Sequence, residues 1–225
     1  MRTRVPFKNL MAPVPPADLA AMPTALLLLD CHRFTLDREA GFGRLALERG
    51  IARELAEYYE QVDFVVPNLR TLVSACRCKP LPIFFTRLVG GGSGGAAVAR
   101  QAAVTGFWTA PGSADGAFLS DLGPRDEDTV FDRTTVSAFA GTRLADRLES
   151  LDIGNVLVAG VAAGGSVELT AREAADRGYN VVVVSDACAA ETWTLHSLTM
   201  TLLVGGLIRV RTVEAVLEML GGRRT

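Results

Sequence analysis

GNVLVAGVAAGGSVELTAREAADRG, residues 154–178, is the stretch whose reading decides the fold. Asn155 to Ala159 is a short, unbroken apolar run, the pattern of a strand covered on both faces. Gly160, Gly164 and Gly165 allow a sharp turn and close backbone approach, and Ser166 follows where a helix starts. Its hydroxyl is placed either to cap free N–H groups or to face a reacting carbon. Val167, Ala171 and Ala174 share one helical face, and Gly178 sits where such a helix ends. Strand, glycine turn and helix in this order build sites at the carboxyl ends of parallel strands.

Working outward, the same alternation recurs. Strands are expected over 24–29, 81–85, 129–132, 181–185 and 207–210, and helices over 51–59, 65–76 (starting after Pro67), from Thr142, over 191–203 and over 213–220. The expected fold is α/β, a three-layer α/β/α arrangement with a mainly parallel sheet and helices on both faces. Residues 1–23 carry five of the ten prolines and read as an N-terminal arm, leaving 24–225 as one domain. The glycine run at 90–95 fits no regular element and reads as a lid or a linker.

A chain of 225 residues with net charge −2 has no basic footprint, so nucleic acid is not an expected partner. The longest apolar run, 25–29, falls far short of the ~20 residues a membrane span requires. Arg2 and Arg4 precede prolines rather than a signal-like apolar segment, so a soluble, cytoplasmic protein is expected. Cys31, Cys76, Cys78 and Cys188 form no C-x-x-C pair and read as reduced structural thiols, with no zinc site.

Three polar residues fall at or near the carboxyl ends of separate strands: Asp30, Arg133 and Ser166. In a parallel sheet those ends share one edge, where an acid, a cation and a hydroxyl make a proton shuttle, an electrostatic clamp and a nucleophile. His32 follows Asp30 in the loop and reads as a hydrogen-bonder near the site rather than a metal ligand. Phe107 and Trp108 are candidates for a pocket wall or for a peripheral contact. The turn is neither G-x-G-x-x-G nor G-x-x-x-x-G-K-[ST], and Ser166 is not in G-x-S-x-G. Dinucleotide, nucleoside triphosphate and α/β-hydrolase readings therefore lack their signatures.

Taken together, 24–30 (TALLLLD), Ser137 to Phe139 with Gly141-Thr142, Gly160 to Ala162 with Ser166-Val167-Glu168, and Arg177 to Tyr179 with Asp186 to Ala189 resemble the isochorismatase-like hydrolases, also called the cysteine hydrolase superfamily. That resemblance implies a parallel sheet with helices on both faces, a homodimer or homotetramer, a small-molecule substrate and an Asp, Lys, Cys triad. Asp30 matches the aspartate, Arg133 stands at the lysine position and Ser166 at the nucleophilic cysteine. The Val161–Ala162 bond falls where the family often has a cis peptide shaping an oxyanion hole, with Gly165 in the same turn. His32, Trp108, Phe139 and Trp193 are the expected substrate-pocket residues. The residues that hold a metal in the nicotinamidase branch are absent after Phe85-Thr86-Arg87, so neither metal nor other cofactor is expected.

Three functions follow from the resemblance. One is hydrolysis of a small amide or ureido C–N bond, with Ser166 a natural variant or an engineered replacement of cysteine. The second is vinyl ether hydrolysis of the isochorismatase type, by protonation from Asp30 without a thiol. The third is a catalytically silent binding or assembly module. The segment from Asp186 to His196 reads more like the cysteine hydrolases and favours the first.

Overall fold

A computed structural model of the chain describes residues 17–90 and 100–221. Its strands are β1 (Thr24–Leu29), β2 (Ile83–Leu88), β3 (Thr129–Arg133), β4 (Asn155–Val161), β5 (Asn180–Ala189) and β6 (Ile208–Arg211). They form one sheet in the order β3-β2-β1-β4-β5-β6, and every pairing is parallel. The helices are α1 (Arg33–Leu36), α2 (Gly41–Glu48), α3 (Ala56–Arg77), α4 (Arg100–Thr105), α5 (Leu144–Ser150), α6 (Glu168–Asp176), α7 (Trp193–Leu203) and α8 (Val213–Gly221). The architecture is three-layer α/β/α.

The strand order explains the layers. The chain moves outward from β1 to β3, then begins again on the other side of β1 with β4. Right-handed crossovers therefore send α3 to one face and α6 to the other, and α8 returns to pack on α3. Every residue of β1 and of β4 is buried, which is why both read as unbroken apolar runs. Edge strand β3 instead alternates in exposure. Between β1 and β4 the order reverses, and the loops leaving the two strands part to opposite sides, opening a crevice at their carboxyl ends.

Three expectations are corrected here. The region 51–77 is not two helices but a 3-10 turn, Ala52–Leu55, followed by the continuous α3, with Pro67 inside it. Pro67 lies on the exposed side, so water can satisfy the Asp63 carbonyl that loses its N–H partner, while Val65, Leu69, Leu72 and Cys76 hold the helix to the sheet. The strand expected over 81–85 is β2, shifted to Ile83–Leu88. Strand β5 does not stop at Ser185 but runs to Ala189 through an irregularity, since Val158 pairs with Val183 whereas Gly160 pairs with Cys188. Asp186 sits inside that irregularity: its Oδ1 accepts Val213 N–H at 2.7 Å and its carbonyl accepts Asn68 Nδ2 at 2.8 Å, anchoring α8 and α3.

Of the expected arm over 1–23, residues 1–16 lie outside the described residues. Ala17 and Leu19 are buried against the core, and Asn155 Nδ2 donates to Asp18 O at 2.9 Å. Of the glycine run, only Gly90 is within the described residues.

Candidate active site

Asp30 is the first residue past β1 and adopts φ +53°, a left-handed conformation that aspartate tolerates better than most side chains. Its N–H donates to Thr86 O at 2.9 Å, and its carbonyl accepts the Thr35 hydroxyl. These bonds fix the backbone so that the carboxylate turns into the crevice, where Leu88 N–H donates to Oδ1 at 3.1 Å.

On the neighbouring strand, Gly160 has φ +124°, and a Cβ there would lie 2.0 Å from Leu29 O. Only glycine lets β4 pass this close to β1. The Val161–Ala162 peptide bond is cis, as the resemblance implied. A single wide turn, Ala163–Val167, then leads into α6, with Gly165 at φ −127° and ψ −105° outside helical geometry. The two placements of the Ser166 hydroxyl resolve in one direction: it makes no cap on α6 but donates to Asp30 Oδ2 at 2.7 Å. Gly165 N–H donates to Ala162 O at 2.9 Å, so this turn closes on itself.

Arg133 ends β3, two strands from β1, a separation of about 10 Å. A long side chain is needed to cross β2, and it does so completely buried, with Nε donating to Thr86 Oγ1 at 3.3 Å on the way. Nη1 donates to Thr135 O at 2.5 Å; Nη2 donates to Asp30 Oδ2 and to Ser166 Oγ, the latter at 2.9 Å. The guanidinium is satisfied on three sides and paired with a carboxylate, the condition under which a charge persists out of water. Asp30, Arg133 and Ser166 thus meet at one point.

Asp30 and Ser166 form the floor of a cavity of about 350 Å³, suited to a small molecule, while Arg133 is buried behind them and is not part of its lining. His32 and Trp108 line it, as do Val161, Ala162 and Gly165. Phe139 and Trp193 do not, which corrects the expected pocket. Phe139 is buried between Tyr179 and the Arg177 guanidinium, whose carbon lies 4.9 Å from its ring. Trp193 packs on Phe64 and His196 instead. Phe34, Phe42 and Glu191 are cavity residues that the sequence did not mark. Glu191 was expected inside a helix, but Thr192 caps α7, its Oγ1 accepting Leu195 N–H at 3.1 Å, and leaves Glu191 in the loop. Phe34 and Phe42 belong to α1 and α2, whose positions depend on packing against Tyr58 and Phe107 rather than on any local motif.

The thiols near the floor are not candidates for its chemistry. Burial pushes the Cys188 thiol up to about 12 and Cys31 well above the ordinary range, the latter helped by the charge of Asp30. Among the described residues no three His, Cys, Asp or Glu side chains are placed to hold a metal ion, and no helix is long and apolar enough to cross a membrane.

Residues 24–215 match the model of the Isochorismatase domain family. Nicotinamidase 3 of Arabidopsis thaliana is 30% identical over 152 residues, 63% of this chain and 72% of the relative. N-carbamoylsarcosine amidase of an Arthrobacter species is 27% identical over 130 residues, 54% of this chain and 48% of the relative. The chain spans about half the length of several of the curated relatives it matches. A cysteine hydrolase from Pseudomonas syringae pv. phaseolicola 1448A superposes with a TM-score of 0.76 at 18% identity, covering 93% of this chain and 98% of that one, a likeness of fold. With the parallel sheet in place and the family match running through all six of its strands, this chain belongs to the isochorismatase family.

Proposed function

We propose that the protein hydrolyses the C–N bond of a small amide or ureide, with Ser166 as nucleophile, Asp30 as proton shuttle and Arg133 as the cation beside both. The observation that carries this reading is the direction of the hydrogen bonds at Asp30. Ser166 O–H, Arg133 N–H and Leu88 N–H all donate to its carboxylate. A carboxylate ringed by donors is arranged to take a proton, whereas vinyl ether cleavage begun by protonation from Asp30 needs it to present one. Two relatives whose names denote amide-cleaving enzymes support the same choice.

In the proposed reaction Ser166 Oγ bonds to the carbonyl carbon while its proton passes to Asp30. The carbonyl π electrons move to oxygen, beside the Gly164–Gly165–Ser166 turn at the positive end of α6 that lines the cavity. Collapse breaks the C–N bond, and the departing amine takes the proton from Asp30. Water then gives a proton to Asp30 and its oxygen to the acyl carbon; the C–O bond to Ser166 breaks, and the serine recovers the proton. One water is consumed per amide cleaved. Arg133 Nη2, 2.9 Å from Oγ, favours the charge that develops on that oxygen.

The test is ammonia release from a panel of small aromatic and aliphatic amides and ureides by the protein, by Ser166→Cys and by Ser166→Ala. Turnover by the first, faster turnover by the second and none by the third is the expected order. Pyruvate release from isochorismate that requires Asp30, with no amide cleaved by any of the three, overturns the proposal.

A further inference from the structure

The loop that follows Arg133 carries Ser137, Ala138 and Phe139, to which the proposed reaction gives no task, since none of the three lines the cavity. Between residues 134 and 142 the one backbone-to-backbone bond among the described residues is Thr142 N–H to Phe139 O, and at 3.4 Å it is long. Side chains hold the loop instead. Thr135 Oγ1 lies 3.0 Å from Ser137 O and 2.6 Å from Ala140 O, which folds the segment on itself. Two residues of α6 then fasten it from outside. Thr170 Oγ1 accepts Ala138 N–H at 3.0 Å, and Glu173 Oε2 accepts the Ser137 hydroxyl. Glu173 Oε1 takes Arg177 Nη2 at 2.7 Å, leaving Oε2 to Ser137, and the Arg177 guanidinium covers the ring of Phe139. Ser137, Ala138 and Phe139 are all buried, so the contacts that fix the loop are shielded from water.

This fastening reaches the site at one atom. Thr135 O accepts Arg133 Nη1 at 2.5 Å, while Nη2 of the same group donates to Asp30 and, at 2.9 Å, to Ser166 Oγ. The guanidinium is rigid and planar, so a shift of Thr135 O is passed on to Nη2. We propose that Glu173 is a positioning residue for Arg133, acting through Ser137 and the 134–142 loop to set the distance between the guanidinium and the side chain at position 166. Helix α6 thereby places both groups. Its amino end continues the turn that carries Ser166, and Glu173, about two helical turns beyond that serine, anchors the loop that holds the cation. The inference rests on the reading of Arg133 as the cation beside residue 166, and it requires no particular substrate.

The experiment uses the thiol introduced by Ser166→Cys as a gauge of that distance, because a nearby cation favours the thiolate. Alkylation by iodoacetamide of the peptide holding residue 166 is followed by mass spectrometry across a range of pH, and alkylation of the buried Cys188 in the same digest reports any unfolding. At an effective dielectric of about 20, moving the cation from about 3 Å to about 4 Å away lowers the thiolate fraction at neutral pH about tenfold. In this background Glu173→Ala and Ser137→Ala should each slow alkylation at neutral pH by roughly three- to tenfold and move its profile to higher pH. Arg133→Met should slow it at least as much. Glu173→Gln, whose amide oxygen still accepts from Ser137, should restore most of the rate. The sign excludes a direct effect of charge, since removing a negative charge would speed alkylation. An unchanged or faster rate in either alanine variant, whatever happens to stability, overturns the proposal, and so does a Glu173→Gln rate no better than that of Glu173→Ala. Both results leave the amide reading standing. No effect of Arg133→Met overturns the proposal together with the reading of Arg133 as the cation at the site.

Discussion

Ser166 Oγ donates to Asp30 Oδ2 across 2.7 Å although 136 residues separate the two in sequence. The distance is short because β1 and β4 are hydrogen-bonded neighbours, Leu29 pairing with Gly160, so that the loops leaving them face each other. The geometry of this pair is therefore a property of strand order. Anything that loosens the β1–β4 seam should disturb stability and chemistry together.

Gly160→Ala tests that seam. The added methyl would lie 2.0 Å from Leu29 O in a backbone conformation with φ +124°. The strain and overpacking should cost about 3 kcal/mol or more. A urea denaturation midpoint like that of the unaltered protein would show that the strands do not approach this closely.

Asp30→Asn removes the charge that accompanies a fully buried guanidinium. Left unpaired, Arg133 should destabilise the fold by roughly 3–5 kcal/mol, and loss of the proton acceptor should lower amide turnover by about 100-fold or more. In Asp30→Leu with Arg133→Met, urea denaturation should show much of the stability recovered, while activity stays absent. That pattern separates the role of the pair in folding from its role in chemistry.

The four cysteines differ sharply in accessibility: Cys78 is exposed and Cys31, Cys76 and Cys188 are buried. Burial also pushes Cys76 and Cys188 up to about 12, so both remain protonated at mildly alkaline pH. A disulfide reagent should label one thiol in the native protein and all four after unfolding. Ser166→Cys should add one rapidly labelled thiol, because that position is partly accessible and sits beside Arg133. Counting released chromophore checks both statements.

His32 gives a pH dependence of known sign. Burial is the main reason its pKa lies below 6.5, opposed by Asp30 and reinforced by Arg87 and Arg133. Just below that pH the unfolded chain binds the proton and the folded protein does not, so stability falls as pH drops from 6.5 toward the depressed folded value. His32→Phe should lose less stability than the unaltered protein between pH 7 and about pH 5. Parallel urea titrations at the two pH values measure the difference.

Much of this could be read from the chain because it depends on local pattern. The apolar runs 24–29 and 155–159 identify buried parallel strands, and Asp30 and Ser166 are placed by being the polar residues that follow them. Arg133 reads as a site residue by the same rule, although its partner lies two strands away and only the sheet order brings it there. The cavity walls were less legible. Phe139 and Trp193 sit beside motif residues yet turn toward Tyr179 and Phe64, because an aromatic side chain's neighbours, not its place in the chain, decide which way it points. Phe34 and Phe42 enter the cavity through packing on distant elements, for which no spacing rule exists. Pro67 misleads for a related reason: tertiary contacts along α3 outweigh a local helix-breaking preference of about 3 kcal/mol.

The most direct test of the central claim is the mass of the protein quenched during turnover of an amide that it cleaves. Attack by Ser166 predicts a transient mass increase equal to the acyl group, located by peptide mapping to the segment holding residue 166 and absent from Ser166→Ala. Amide turnover that continues undiminished in Ser166→Ala, or an adduct carried on any other residue, would contradict it.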